Sequence, residues 1–96
     1  LDYADYRTKL DRPAYGCVAI KIRKGGGHVC FVVGKDKDTG KLVCIGGNQN
    51  NMVSYALYAE SDFQEFRWYG KTLNPAHGRY NLPELSGVTA TKVTEA

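Results

Sequence analysis

Residues 25–48 read GGGHVCFVVGKDKDTGKLVCIGGN, and this stretch decides the predicted fold. Two runs rich in β-branched and aromatic residues flank a polar turn that ends at Gly40, a pattern typical of an antiparallel hairpin. With the centre of the turn at Asp38, the numbers of facing residues sum to 76. The predicted register pairs Val32 with Cys44, Cys30 with Gly46, and His28 with Asn48.

The pair His28 and Asn48 is the first candidate for chemistry. Residues directly opposite on one face of an antiparallel pair hold their Cβ atoms about 4.5–5.5 Å apart, so the Asn48 side chain can accept a hydrogen bond from the imidazole. That bond would fix the tautomer of His28 and direct its other nitrogen outward. A cysteine nucleophile needs a base that is positioned in this way. A slip of one residue would move Asn48 to the opposite face, and a single strand histidine is more often structural.

Glycines surround this predicted pair. Residues 25–27 are all glycine before His28, and Gly46 and Gly47 precede Asn48. Glycine in a strand weakens it and often marks a place where another backbone approaches closely. We therefore predict that His28 and Asn48 lie in an open groove that another chain can enter, with Gly27 and Gly47 against the bound chain.

Length and charge restrict the class of protein. The chain of 96 residues is long enough for one small domain. Thirteen Lys and Arg against ten Asp and Glu give a net charge of +3 that is spread along the chain, so we expect no nucleic-acid partner. We also expect no membrane partner, because no apolar run approaches the roughly 18–20 residues of a membrane span. The N-terminal residues lack the features of a signal peptide.

The three cysteines are Cys17, Cys30 and Cys44, and each lies in a strand-like run. Their spacing lacks the short paired intervals of zinc sites and redox motifs. We predict reduced, packed thiols and expect neither a metal nor another cofactor. In the predicted register Cys30 and Cys44 share one face of the hairpin as diagonal neighbours, which does not suit a disulfide.

The rest of the chain extends the predicted sheet. Residues 1–15 have the spacing of a short helical turn, and residues 17–23, 52–58 and 65–69 are predicted strands. Phe66 and Trp68 are predicted to share one face and to close the end of a small barrel. The predicted fold is a small antiparallel sheet or half-barrel of about five strands over residues 1–70, followed by an extended tail over residues 71–96.

Five segments carry a resemblance to a known family: LDRPAYG from Leu10, GGHVCFVVG from Gly26, IGGNQ from Ile45, VS from Val53, and FRW from Phe66. They resemble the C-terminal half of the CHAP/NlpC-like family of papain-fold cysteine amidases, which includes phage endolysins and type VI secretion amidase effectors. The resemblance spans residues 1–69 and implies an α+β fold whose N-terminal helices are largely absent from this chain. It implies that His28 is the general base, that Asn48 orients it, and that Gln49 lines the groove.

The family nucleophile is a cysteine at the start of a helix that precedes these strands, whereas this chain has no cysteine before Cys17. We therefore expect the nucleophile on an N-terminal part outside this chain. The resemblance implies hydrolysis of an amide in the stem peptide or cross-link of bacterial peptidoglycan. It also implies a protein made in the cytoplasm that acts at the cell wall after delivery, with an immunity protein as a further expected partner.

A second hypothesis belongs to a different class of protein. The same strands can form a non-catalytic SH3-like module that binds cell wall or protein, with His28 as an ordinary residue of its groove. An upstream cysteine-bearing helix in the intact gene would favour the amidase over this module.

Overall fold

The computed structural model of the chain describes residues 8–23, 26–47 and 53–87. The elements are β1 (Thr8–Leu10), β2 (Val18–Arg23), β3 (Gly26–Asp36), β4 (Leu42–Gly47), β5 (Val53–Tyr58), a 3₁₀ helix (Glu60–Asp62), β6 (Glu65–Trp68), a second 3₁₀ helix (His77–Tyr80) and β7 (Glu84–Leu85). The strands form one sheet with the order β1-β6-β2-β3-β4-β5, and β7 pairs with β3. Every pairing is antiparallel except that of β7 with β3.

The predicted antiparallel sheet is confirmed, and all five predicted strands are present within the described residues. Two further short strands, β1 and β7, were not predicted. The helices of the described residues are both short 3₁₀ helices, and none of them is long and apolar enough to cross a membrane.

The register of the β3–β4 hairpin is confirmed on one side of a bulge. Phe31 pairs with Ile45 and Val32 pairs with Cys44, as predicted. Beyond Val32 the register shifts by one residue, and Gly34 pairs with Val43. The predicted register is therefore wrong near the turn, because β3 contributes one extra residue there.

The turn itself is held by Asp36, which is buried at 4% exposure. Its Oδ2 accepts hydrogen bonds from the Thr39 backbone N–H at 3.0 Å and from the Thr39 hydroxyl at 2.7 Å. Gly40 has a φ of 76°, in the left-handed region that glycine adopts without steric cost. These contacts hold the turn and maintain the register of β3 with β4 between the turn and the bulge.

The predicted helical turn near the N-terminus is wrong for Thr8–Leu10, which form β1. Leu10 pairs with Phe66 across the β1–β6 ladder and is 6% exposed. Pairing with β6 satisfies the backbone groups of this segment and buries Leu10, so tertiary contacts outweigh the helical spacing. Residues 1–7 of that prediction lie outside the described residues.

The sheet has two faces of different character. The inner face, which includes Ala19, Cys30, Val32 and Cys44, packs against Phe63 in the core. Phe66 and Trp68 also lie in this core, consistent with the predicted shared face. The outer face leaves four large apolar side chains exposed, namely Ile22, Val29, Phe31 and Tyr55.

Backbone hydrogen bonds connect the described part of the C-terminal region, residues 71–87, to β3 and to the loop between β1 and β2. The Tyr15 N–H donates to the Arg79 carbonyl at 2.8 Å. The Lys35 N–H donates to the Pro83 carbonyl at 2.9 Å. This bond lies on the same edge of β3 that pairs with β2 farther along the strand. A boundary between a core and a tail at residue 70 stays a prediction.

Candidate active site around His28

A cavity of about 170 Å³ lies on the inner face of the sheet. Apart from His28 and Tyr58 its lining residues are small, so they cover little of the inner surface of β3, β4 and β5. A side chain at Gly46 would make an ordinary contact with Cys30 at 3.6 Å, which shows that glycine there keeps space open. The lining residues are His28, Cys30, Cys44, Gly46, Ser54, Ala56 and Tyr58.

His28 lies near the start of β3, is half-buried and faces this cavity. Its Nε2 lies 3.3 Å from the hydroxyl of Tyr58, and the two ring centroids are 5.9 Å apart. A phenol both donates and accepts hydrogen bonds, so this contact suits either tautomer of the imidazole. The Tyr58 ring is in turn held by Phe63, edge to face at 5.3 Å. The imidazole is therefore positioned through its Nε2 side.

A positive charge lies beside this pair. Lys21 is directly opposite His28 on β2, and its Nζ lies 5.2 Å from the centroid of the Tyr58 ring. A cation above an aromatic face is attracted by the ring quadrupole, so Tyr58 draws Lys21 toward the cavity. The result is a cationic edge next to His28.

The other predicted site residues are only partly within the described residues. Gly27 pairs with Ile22, and Gly47 ends β4 opposite Val53. Asn48 and Gln49 lie outside the described residues. The β3–β4 ladder runs from the pair of Lys35 with Leu42 to the pair of Phe31 with Ile45, and it ends before the predicted pair of His28 with Asn48. That pair therefore stays a prediction.

Two residues beside His28, Tyr58 and Lys21, were not predicted from the sequence as site residues. Tyr58 faces the cavity from the end of β5, where it pairs with Leu42. Residues 48–52, between β4 and β5, read NQNNM and have no two-residue turn signature from which this pairing could be counted. Lys21 lies in a predicted strand, but only the β2–β3 register shows that it faces His28.

All three cysteines are free and buried, as predicted. The hydrogen bond from the Cys44 thiol lowers the pKa of Cys30, and the charge of Lys21 lowers it further, while burial opposes both. The same hydrogen bond raises the pKa of Cys44, and burial adds to that rise. Cys30 is thus a thiol of lowered pKa that lines the same cavity as His28.

Cys17 is fully buried, and its Sγ accepts a hydrogen bond from the Ala14 N–H at 3.4 Å. Burial raises the pKa of Cys17 from 9.0 to about 11. The unfolded chain then loses this proton near pH 9 while the folded chain keeps it to about pH 11. This contribution to stability is complete below pH 9 and is lost as the pH rises through that window.

We therefore expect the free energy of unfolding to fall over this pH range and to fall less steeply in Cys17→Ser. The serine hydroxyl can accept the Ala14 hydrogen bond but does not ionise. Urea unfolding of both proteins at several values between about pH 8 and pH 11 measures the difference. Equal pH dependence in the two proteins would contradict this assignment.

Among the described residues, no group of three or more His, Cys, Asp or Glu side chains is arranged to hold a metal ion. The chemical groups that line the cavity are an imidazole, two thiols, a phenol and a serine hydroxyl. These groups can transfer protons and hold a polar ligand.

A second cavity, of about 270 Å³, opens on the outer face of the sheet. It lies between β2, β3 and the residue after β6, and apolar side chains dominate its lining. Val29 and Phe31 are also exposed here, and exposed apolar patches are a feature of interaction sites. The lining residues are Val18, Ile20, Val29, Cys30, Phe31 and Tyr69.

No protein-family model, no curated protein and no solved structure matches the chain. The function is therefore argued from the cavity and the sequence resemblance.

Proposed function

We propose that His28 is the general base of a papain-like cysteine hydrolase that cleaves amide bonds of bacterial peptidoglycan. The nucleophilic cysteine is supplied by a segment outside the 96-residue sequence. One observation carries this proposal: a half-buried imidazole, held by Tyr58 at its Nε2, faces a cavity lined by small residues. A nucleophile and a peptide can both approach such an imidazole.

The reaction uses His28 twice. The imidazole takes the proton of the cysteine thiol, and the thiolate attacks the amide carbonyl carbon to form a tetrahedral intermediate. His28 then gives the proton to the leaving amine, and the acyl group remains as a thioester. Water attacks the thioester with His28 as base, which frees the acid and restores the thiol. In this mechanism Asn48 and the Tyr58 hydroxyl both orient the ring from its Nε2 side, which leaves Nδ1 for the proton transfers.

The three cysteines of the sequence are poor nucleophiles by comparison. Cys17 and Cys44 are buried with raised pKa values, so little thiolate forms at neutral pH. Cys30 has a lowered pKa, but it is only 3% exposed and hydrogen-bonded to Cys44. It also lies on the same strand as His28, about 7 Å along it. A substrate carbonyl has little access to that sulfur.

The shape of the groove favours a peptide with small side chains. Gly46 and Ala56 expose the sheet surface next to His28, and Gly27, Gly47 and Gln49 are proposed to contact the same substrate. The stem peptides of peptidoglycan fit this requirement because they are rich in alanine. An immunity protein that covers the groove would protect the cell that makes the enzyme.

The proposal is tested by digestion of purified peptidoglycan with the protein expressed from its intact gene. Mass spectrometry of the released fragments identifies newly formed amines and acids, and the 96-residue chain alone serves as the comparison. We expect cleavage by the intact product and none by the chain alone. A lack of cleavage by the intact product would contradict the proposed function.

Cys30→Ser tests whether the nucleophile is Cys30, the cysteine nearest to His28, instead of the proposed cysteine outside this sequence. We expect this variant of the intact product to keep its rate within about threefold, because Cys30 lines the cavity without attacking the substrate. The measurement is the initial rate of amine release. Complete inactivation with unchanged thermal unfolding would identify Cys30 as the nucleophile instead.

The outer face favours a second candidate function, a non-catalytic SH3-like binding module. Val29 and Phe31 are 54% and 53% exposed on this face, next to the apolar cavity. A binding module that uses this outer face would keep its ligand after His28→Ala, and it would release no amines from peptidoglycan. The same digestion therefore separates the two candidates.

A further inference from the structure

The strand β5 forms one end of the sheet. It pairs with β4 along residues 53–58, and within the described residues no strand pairs with its other edge. The backbone groups on that edge can be identified from the hydrogen bonds of β3. The Val32 N–H and carbonyl both bond toward the β2 side, to Cys17 and Gly16.

Backbone groups of successive strand residues point to alternate sides. Phe31 therefore points toward β4, where it pairs with Ile45, and Cys44 points away from β3 toward β5. Ala56, the partner of Cys44, points back toward β4. The N–H and C=O groups of Tyr55 and Leu57 consequently point away from the sheet.

The composition of β5 is unusual for an edge strand. Its six residues read VSYALY and contain no charge and no proline. Natural edge strands usually carry charges, prolines or bulges, because these features prevent pairing with another chain. Tyr55 is also 48% exposed, and the strand is rich in residues of high β propensity. This edge is suited to accept another strand.

We infer that two copies of the chain pair through β5 to form a symmetric dimer with one continuous sheet. In an antiparallel pairing with Ala56 on the two-fold axis, Tyr55 of each copy opposes Leu57 of the other, and each such pair exchanges two hydrogen bonds. A two-fold axis places like residues close together, and like charges directly opposite are destabilising. An uncharged strand avoids that repulsion, which favours a second copy as the occupant of this edge.

The pairing extends both faces of the sheet. On the outer face, the apolar row formed by Phe31, Ile45 and Tyr55 continues onto Leu57 of the second copy. On the inner face, Ser54 of the second copy lies opposite Tyr58, the residue that contacts His28. Each copy thus adds a hydroxyl to the edge of the other copy's cavity, and the two cavities lie side by side.

Light scattering coupled to size-exclusion chromatography of the 96-residue chain tests the dimer between about 10 μM and 500 μM, since a small interface gives weak affinity. We expect a shift from monomer toward dimer over this range. Tyr55→Pro should remain monomeric, because proline removes a donor from the free edge, where strands tolerate it. Tyr55→Thr keeps the donor and should dimerise. A monomer at all concentrations, or a Tyr55→Pro dimer as stable as the unaltered one, would overturn the inference.

Amide hydrogen exchange of the unaltered chain gives a second measurement that does not depend on folding of the proline variant. Exchange at Tyr55 and Leu57 should slow at least tenfold from low to high protein concentration, while exchange at Ala56 should change little. Unchanged exchange at Tyr55 and Leu57 in a sample that dimerises would place the interface elsewhere and overturn the inference. His28→Ala should dimerise like the unaltered chain, so this result is independent of the proposed catalysis.

Discussion

Replacement of His28 by Ala in the intact gene product is expected to lower the rate of amide hydrolysis about 10³-fold or more. The variant lacks the group that takes the thiol proton and later protonates the leaving amine. Folding should change little, because His28 is half-buried and its hydrogen bond with Tyr58 contributes only about 1 kcal/mol. The measurements are the initial rate of amine release from peptidoglycan and the midpoint of thermal unfolding.

The chain offers a matched control in its other histidine, His77, which is exposed on the second 3₁₀ helix. His77→Ala should keep the full rate. Tyr58→Phe keeps the ring packing against Phe63 and removes only the hydroxyl that contacts Nε2, so a smaller loss of about tenfold is expected. If His28→Ala keeps a rate close to that of His77→Ala, His28 is not the general base.

The hairpin could be predicted because its signals are local. The β-branched and aromatic runs of β3 and β4 and the polar turn between them predict the pairing of Val32 with Cys44 without any distant residue. The bulge after Val32 could not be predicted in the same way. At Gly34, β3 meets Pro83 and Leu85, which lie about 50 residues farther along the chain. A partner so distant leaves no periodic signal near residue 34.

The candidate site was predictable to the same degree. His28 was identified from its position in the hairpin and from the glycines around it, and the structure places it at a cavity. Tyr58 and Lys21, which contact each other beside His28, come from β5 and β2. Their approach depends on two further strand registers, which alternation alone does not fix. His28 was therefore identified as a candidate from the sequence, and the two residues beside it were not.

The wrong prediction for Thr8–Leu10 has a related cause. A spacing of three and four residues fits a helical turn, but a segment of this length forms a helix only marginally in water. The edge of β6 offers this segment backbone partners, and the Leu10 side chain enters the core against Phe66. The structure of such a short segment is thus determined by the strand with which it pairs in the folded chain.

Gly34→Ala is expected to lower the free energy of unfolding by about 1–3 kcal/mol. A Cβ at this position would lie 2.8 Å from the Leu85 side chain and 2.9 Å from the Pro83 carbonyl oxygen. β3 is a central strand paired on both sides, so it cannot move away, and β7 must separate from it. Urea unfolding measures the loss, and limited proteolysis should cut near residues 82–87 faster than in the unaltered chain.

Gly46→Ala is the matched control, because Gly46 also lies within a strand but its added Cβ would make only an ordinary 3.6 Å contact with Cys30. Its stability should stay within about 0.5 kcal/mol of the unaltered chain. The comparison isolates the clash from the general effect of alanine in a strand, which favours alanine over glycine. Equal stability of the two variants, with unchanged proteolysis near β7, would show that Pro83 and Leu85 do not pack closely against β3 at Gly34.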